Sequence, residues 1–127
     1  MPVGTFGLSA IKQISVPVKD LERALAFYRD TLGMKMLFRV PNLAFFDAAG
    51  IRLMLSVPEK PEFDHPSSII YFSVPQIQSA FNELSARGVK FEGAPHMIAK
   101  LPTCEVWMAF FRDSENNLMA MTSEVPL

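Results

Sequence analysis

The 127-residue sequence has one cysteine, two histidines, one tryptophan and no surplus of basic side chains, and each shortage excludes a class of protein. Cys104 alone can form neither an internal disulfide nor a paired-cysteine metal motif. His65 and His96 stand beside Pro66 and Pro95 in expected loops, where a solvated imidazole is the plain reading. Lys and Arg number 12 against 13 Asp and Glu, for a net charge of -1. No stripe of cations is therefore available to neutralise phosphates, which argues against a nucleic-acid partner. The longest apolar stretches, Ser68 to Pro75 and Val106 to Phe111, fall far short of the roughly 20 residues that span a bilayer. Met1 to Leu8 lacks the basic start and long apolar run of a secretory signal, so a cytoplasmic setting is expected. No glycine-rich phosphate loop and no nucleophile-elbow motif occurs.

What the sequence does hold is apolar bulk: half the residues are hydrophobic, with 11 Phe and 8 Met. One globular domain over 1–127 follows. Ile11 to Val18, β-branched and ending near Pro17 and Lys19-Asp20, reads as a strand. From Asp20 the spacing becomes helical through Leu21, Leu25, Phe27, Tyr28 and Leu32, with Asp20 as cap and Gly33 as stop. Extended runs follow at Met34 to Val40, Leu43 to Phe46 and Ile51 to Val57, broken at Pro41-Asn42 and Ala48-Ala49-Gly50. Residues 59–67 form a linker stiffened by Pro61 and Pro66.

The order then repeats. Ser68 to Val74 reads as a strand and Gln76 to Arg87 as an amphipathic helix with Ile77, Ala80, Phe81 and Leu84 on one face. Val89 to Phe91, Glu105 to Phe111 and Leu118 to Ser123 read as extended, and Gly93 to Thr103 as a long loop. The chain is thus expected to be α+β, with two βαβββ modules at 8–58 and 68–124 forming a concave mixed sheet. Each module covers one sheet face with its helix and leaves the concave face for a ligand.

Two segments carry a family resemblance. Val16-Pro17-Val18-Lys19-Asp20-Leu21, followed by Ala26-Phe27-Tyr28 and Thr31-Leu32-Gly33-Met34, is similar to the opening strand, helix and "FY...LG" signature of the vicinal oxygen chelate superfamily. Phe111-Arg112-Asp113-Ser114-Glu115-Asn116-Asn117 resembles its "DPDGN" turn. That superfamily includes glyoxalase I, methylmalonyl-CoA epimerase, extradiol dioxygenases, and the fosfomycin and bleomycin resistance proteins. The resemblance implies a homodimer, with the cleft formed within one chain or between exchanged halves.

Metal enzymes of that superfamily place one ligand on the first and one on the last strand of each module. The matching positions here are Gln13, Met54, Ile69 and Ala120. Only Gln13 offers a donor suited to a hard cation. A slip of one residue brings in Leu53 or Leu55, Ser68 or Ile70, and Met119 or Met121. No cofactor is therefore expected, and a divalent metal only if these positions are misassigned.

From these anchors, alternation places Gln13 and Ser15, Arg52, Met54 and Ser56, Ile69, Tyr71 and Ser73, and Leu118, Ala120 and Thr122 on the concave face. If Val106, Met108 and Phe110 pack under a helix, then Glu105, Trp107 and Ala109 also face inward, and Trp107 makes a stacking wall. Glu105 is then the candidate general base. The candidate ligand-binding set is Gln13, Arg52, Met54, Ile69, Tyr71, Trp107 and Ala120. Met54 and Ile69 either line the cavity or fill it, and Tyr71 either meets a ligand or satisfies its hydroxyl on backbone. Arg52 calls for an anionic partner, either Glu105 or a ligand carboxylate, unless it stands at a solvated rim.

The expected function is metal-independent binding of a small, moderately apolar molecule, of the glyoxalase and bleomycin-resistance type. Two alternatives stand beside it: a metal-dependent lyase, isomerase or dioxygenase with atypical ligands, and a structural or interaction module with a filled cavity.

Overall fold

The computed structural model describes residues 6–127. Its elements run β1 (Gln13–Pro17), α1 (Leu21–Ala26), β2 (Lys35–Val40), β3 (Leu43–Ala48), β4 (Ile51–Ser56), β5 (Ile70–Ser73), α2 (Ile77–Ala86), β6 (Lys90–Phe91), β7 (His96–Lys100), β8 (Cys104–Arg112) and β9 (Leu118–Pro126). β1 to β4 form one sheet in the order β1-β4-β3-β2, and β5 to β9 form a second in which β5 pairs β9, β9 pairs β8, and β6 and β7 both pair β8. In each sheet the strand before the helix pairs in parallel with the last strand, while the other pairings are antiparallel. The α+β architecture is the one expected.

Two elements differ from expectation. His96–Lys100, expected within a long loop, is a strand, with a register shift between Met97 and Ala99 where it pairs β8. Gly93 and Pro95 mask it in the sequence, and pairing with an otherwise open edge of β8 creates it. The first helix also changes pitch. Asp20 caps it by accepting the Arg23 N–H at 3.1 Å. After Ala26 the segment Phe27–Thr31 widens into a π turn, closed by the Leu32 N–H on the Phe27 carbonyl at 2.9 Å. Gly33, at φ 75°, then reverses the chain.

The core lies between the sheets and their helices. Val16, Phe46, Leu53 and Leu55 are buried with Ala24, Leu25 and Tyr28 of the first helical segment. Ala109, Phe111, Met119 and Met121 are buried with Ile77, and Ala80, Phe81 and Leu84 of α2 pack against them. Each sheet therefore spends one face on its helix and leaves the other uncovered, which is what positions a site.

A polar joint locks the halves together. The Tyr28 hydroxyl donates to Asp113 Oδ2 at 2.7 Å, and Asn117 Nδ2 donates to the Pro17 carbonyl at 3.0 Å. Glu115 accepts the N–H groups of Lys19 and Asp20 at 2.8 and 3.0 Å and binds Arg23 at 2.7 and 3.0 Å. Burial by itself pushes the Glu115 carboxyl up; the bonds from Arg23, Asp20, Lys19 and Ser114 outweigh it and hold the pKa at about 2. Burial, then the Asp113 charge, pushes the Tyr28 phenol well above its ordinary range, so it remains a donor.

Candidate ligand-binding face

On the face of the first sheet turned away from α1, cross-strand register sets Gln13 beside Arg52 and Ser15 beside Met54, with Phe45 opposite Met54 and Asp47 opposite Arg52. Leu53 and Leu55 point the other way into the core, so period-2 alternation fixes which side chains remain. Gln13 Nε2 approaches Met54 Sδ at 3.6 Å, a weak bond that leaves the amide oxygen open. Phe38 stacks on Phe45 with centroids 4.4 Å apart, and the Arg52 guanidinium carbon lies 5.7 Å from the Phe45 ring centre. Phe45 is buried beneath them, while Phe38 keeps 45% of its surface. A cavity of about 410 Å³ opens over Ser15, Met54 and Ser56, with Phe63 and His65 of the linker also at its wall.

The second sheet presents a smaller group. Tyr71 pairs in register with Ala120, and Phe110 with Ala120 from the other side. The Tyr71 and Phe110 rings meet edge to face at 5.9 Å. Ile69 lies just before β5 and is exposed, with Ile70 and Phe72 turned into the core. Ile14 and Ile51 share a second cavity of about 410 Å³ with the run from Ile70 to Ser73, which brings β5 beside β1 and β4. The structure thus sets Gln13, Arg52 and Met54 together on one sheet, and Tyr71 and Ala120 together on the other.

Glu105 and Trp107 belong to neither group. Trp107 packs against the core on the same face of β8 as Ala109 and Phe111, under α2, while Phe110 is on the face with Tyr71. Its Nε1 donates to Glu105 Oε1 at 3.1 Å, and both line a separate cavity of about 510 Å³ with Pro75, Ile77 and Val125. The inward reading of Glu105, Trp107 and Ala109 is therefore reversed, and the suggested pairing of Arg52 with Glu105 does not form. β8 is apolar on both faces from Val106 to Phe111, so alternation carries no parity signal; the small Ala109 and flat Phe111 fit beneath α2 and decide it.

Sequence reasoning did not place Phe38, Phe45, Phe63 or His65 on the candidate face, and it read His65 as a solvated loop imidazole. For Phe45 a signal existed: Phe45-Phe46 is an adjacent aromatic pair in a strand, so the two rings must take opposite faces. For Phe63 and His65 nothing local shows that the linker reaches the cavity of Met54.

The sequence matches a family model, the Glyoxalase/Bleomycin resistance protein/Dioxygenase superfamily, over residues 10–121. The chain belongs to that superfamily. Its fold is similar to that of a glyoxalase/bleomycin resistance protein/dioxygenase from Sphaerobacter thermophilus, with a TM-score of 0.76 at 24% identity over 92% of this chain and 98% of the other. A protein of the same description from Nocardioides aligns with a TM-score of 0.72 at 22% identity over 97% and 88%. A lactoylglutathione lyase from Agrobacterium tumefaciens aligns with a TM-score of 0.69 at 22% identity over 91% and 94%. At these identities the likeness is one of fold. No curated protein matches the sequence. As for what a superfamily site could hold, no three His, Cys, Asp or Glu side chains converge among the described residues.

Proposed function

We propose that this superfamily member binds a small, partly apolar molecule on its uncovered sheet face, without a metal cofactor. One observation carries the reading. The positions where the superfamily resemblance places metal donors hold an amide, a thioether and two hydrocarbon side chains: Gln13, Met54, Ile69 and Ala120. That donor set does not fit a hard divalent cation, which needs several carboxylate, imidazole or carbonyl ligands. What the face offers instead is area and a few hydrogen bonds. Phe38, Met54, Tyr71 and Phe110 supply apolar contact, and Gln13, Ser15 and Ser56 supply polar atoms around it. The expected homodimer and cytoplasmic setting remain part of the proposal; no described helix is long and apolar enough to cross a membrane.

The test is elemental analysis of purified protein before and after chelation, paired with thermal melts in Ni²⁺, Zn²⁺, Mn²⁺ and Fe²⁺. Substoichiometric metal and an unmoved midpoint are expected. Stoichiometric metal that returns after chelation and raises the midpoint would overturn the reading and show a metal site with donors outside the four positions.

A further inference from the structure

Of the chain's arginines, Arg23, Arg29, Arg39, Arg87 and Arg112 each pair with a carboxylate, respectively Glu115, Asp30, Glu22, Glu83 and Glu92. Arg52 alone has no such partner among the described residues, although it is half-buried near the start of β4 on the proposed binding face. Its Nε is sealed from solvent and meets no acceptor. A guanidinium with a sealed, unbonded N–H is costly to leave uncompensated, since burial removes water without supplying a replacement.

The neighbouring groups do not supply it. Asp47 lies directly across from Arg52, but it receives the Gly50 N–H at 3.1 Å and has Lys35 as its register partner on the next strand. On the opposite side Arg52 faces Gln13, whose amide nitrogen is turned to Met54. Glu105 is in the other sheet, under α2. What does hold Arg52 is the Phe45 ring at 5.7 Å. A cation–π contact orients the guanidinium plane without neutralising its charge. Among the described residues no side chain or carbonyl accepts from the Nη nitrogens, which, unlike Nε, are not sealed from solvent.

We propose that Arg52 is a carboxylate receptor, and that the molecule bound on this face is an organic monocarboxylate whose apolar part lies on the Phe38–Phe45 stack. The inference rests on the proposed binding function and adds its ligand class. The fit is chemical: two open Nη N–H donors match two carboxylate oxygens and supply the pairing that the half-buried guanidinium lacks, while Nε stays unbonded; a charge-assisted pair next to aromatic walls is stronger than the same pair in water. Phe38, exposed at the edge of the stack, supplies apolar area beside the ring that carries the charge.

3-Phenylpropionate and its primary amide are suitable probes, because they share one body and differ in charge. Thermal shift and calorimetry should show the acid binding at least tenfold more tightly than the amide, with the preference shrinking as salt rises. Arg52→Gln should abolish the preference, the acid falling to the affinity that the same variant has for the amide. Arg52→Lys should restore part of it, since an ammonium keeps the charge and loses the fork. Equal binding of acid and amide by the wild type overturns the receptor role and leaves the binding face standing. A preference that survives in Arg52→Gln does the same. Binding of neither probe at millimolar concentration overturns both proposals. Acid binding that requires an added metal overturns the metal-free reading alone.

Discussion

Replacing Glu115 with Gln should lower stability more than any single change on the ligand face. The Glu115 side chain is only 1% exposed and takes five donors: two backbone N–H groups at the start of the first helix, two from Arg23, and the Ser114 hydroxyl at 3.0 Å. Its pKa falls from an ordinary 4.5 to about 2. At ~1.4 kcal/mol per unit, that fall corresponds to about 3 kcal/mol favouring the folded, ionised state at neutral pH. Arg23 is half exposed, so solvent screens its share, and a working value is about 2–3 kcal/mol. Gln keeps the volume but has one acceptor oxygen and turns an NH₂ toward donors, leaving at least one buried N–H unpaired.

For a chain of this size the loss corresponds to a midpoint about 10 °C lower. Urea unfolding of both proteins from pH 7 to pH 2 is the assay. A depressed carboxyl pKa stabilises the fold above its unfolded value near 4.5, and that contribution fades as pH falls toward about 2. The gap between wild type and Glu115→Gln should thus be full at pH 7 and close progressively between pH 5 and 2. A variant within about 0.5 kcal/mol of the wild type at pH 7, or a gap constant across that range, refutes the reasoning.

Two further outcomes test the rest of the architecture. Tyr28→Phe removes a buried donor from Asp113 while keeping the ring against Phe46, and should cost about 1–2 kcal/mol in denaturant unfolding. Asp113 keeps its bonds from the Glu115 and Asn117 N–H groups and Asn117 Nδ2, so the turn itself should survive. Trp107→Phe should leave 3-phenylpropionate affinity within about twofold, because Trp107 lies under α2 on the opposite face of β8 from Phe110. A large loss of affinity there would return Trp107 to the binding face.

How much of this was legible beforehand differs between the two halves. In the first, Ile14 and Val16, and Leu53 and Leu55, alternate with Gln13, Ser15, Arg52, Met54 and Ser56, and the structure sorts them onto the expected faces. In the second, Tyr71 and Ala120 fall together as expected because their strands alternate in size or polarity. β8 does not, since Val106, Trp107, Met108, Ala109, Phe110 and Phe111 are all apolar, and its parity was reversed. His96–Lys100 was hidden for a related reason: a strand made by edge pairing carries little pattern of its own.

The amino-acid sequence by itself determined the strand-then-helix start of each half, the helix start at Asp20 and its stop at Gly33, and the alternation of Gln13, Ser15, Arg52 and Met54 with core residues. These depend on local periodicity, capping and residue identity, which are properties of neighbours along the chain. Only the tertiary structure decided that Glu105 and Trp107 lie beneath α2, that Phe63 and His65 share a cavity with Met54, and that Arg52 is left without a carboxylate among the described residues. Those outcomes depend on which surfaces meet across the fold, where packing of a helix or linker chooses between faces that the sequence makes equally apolar.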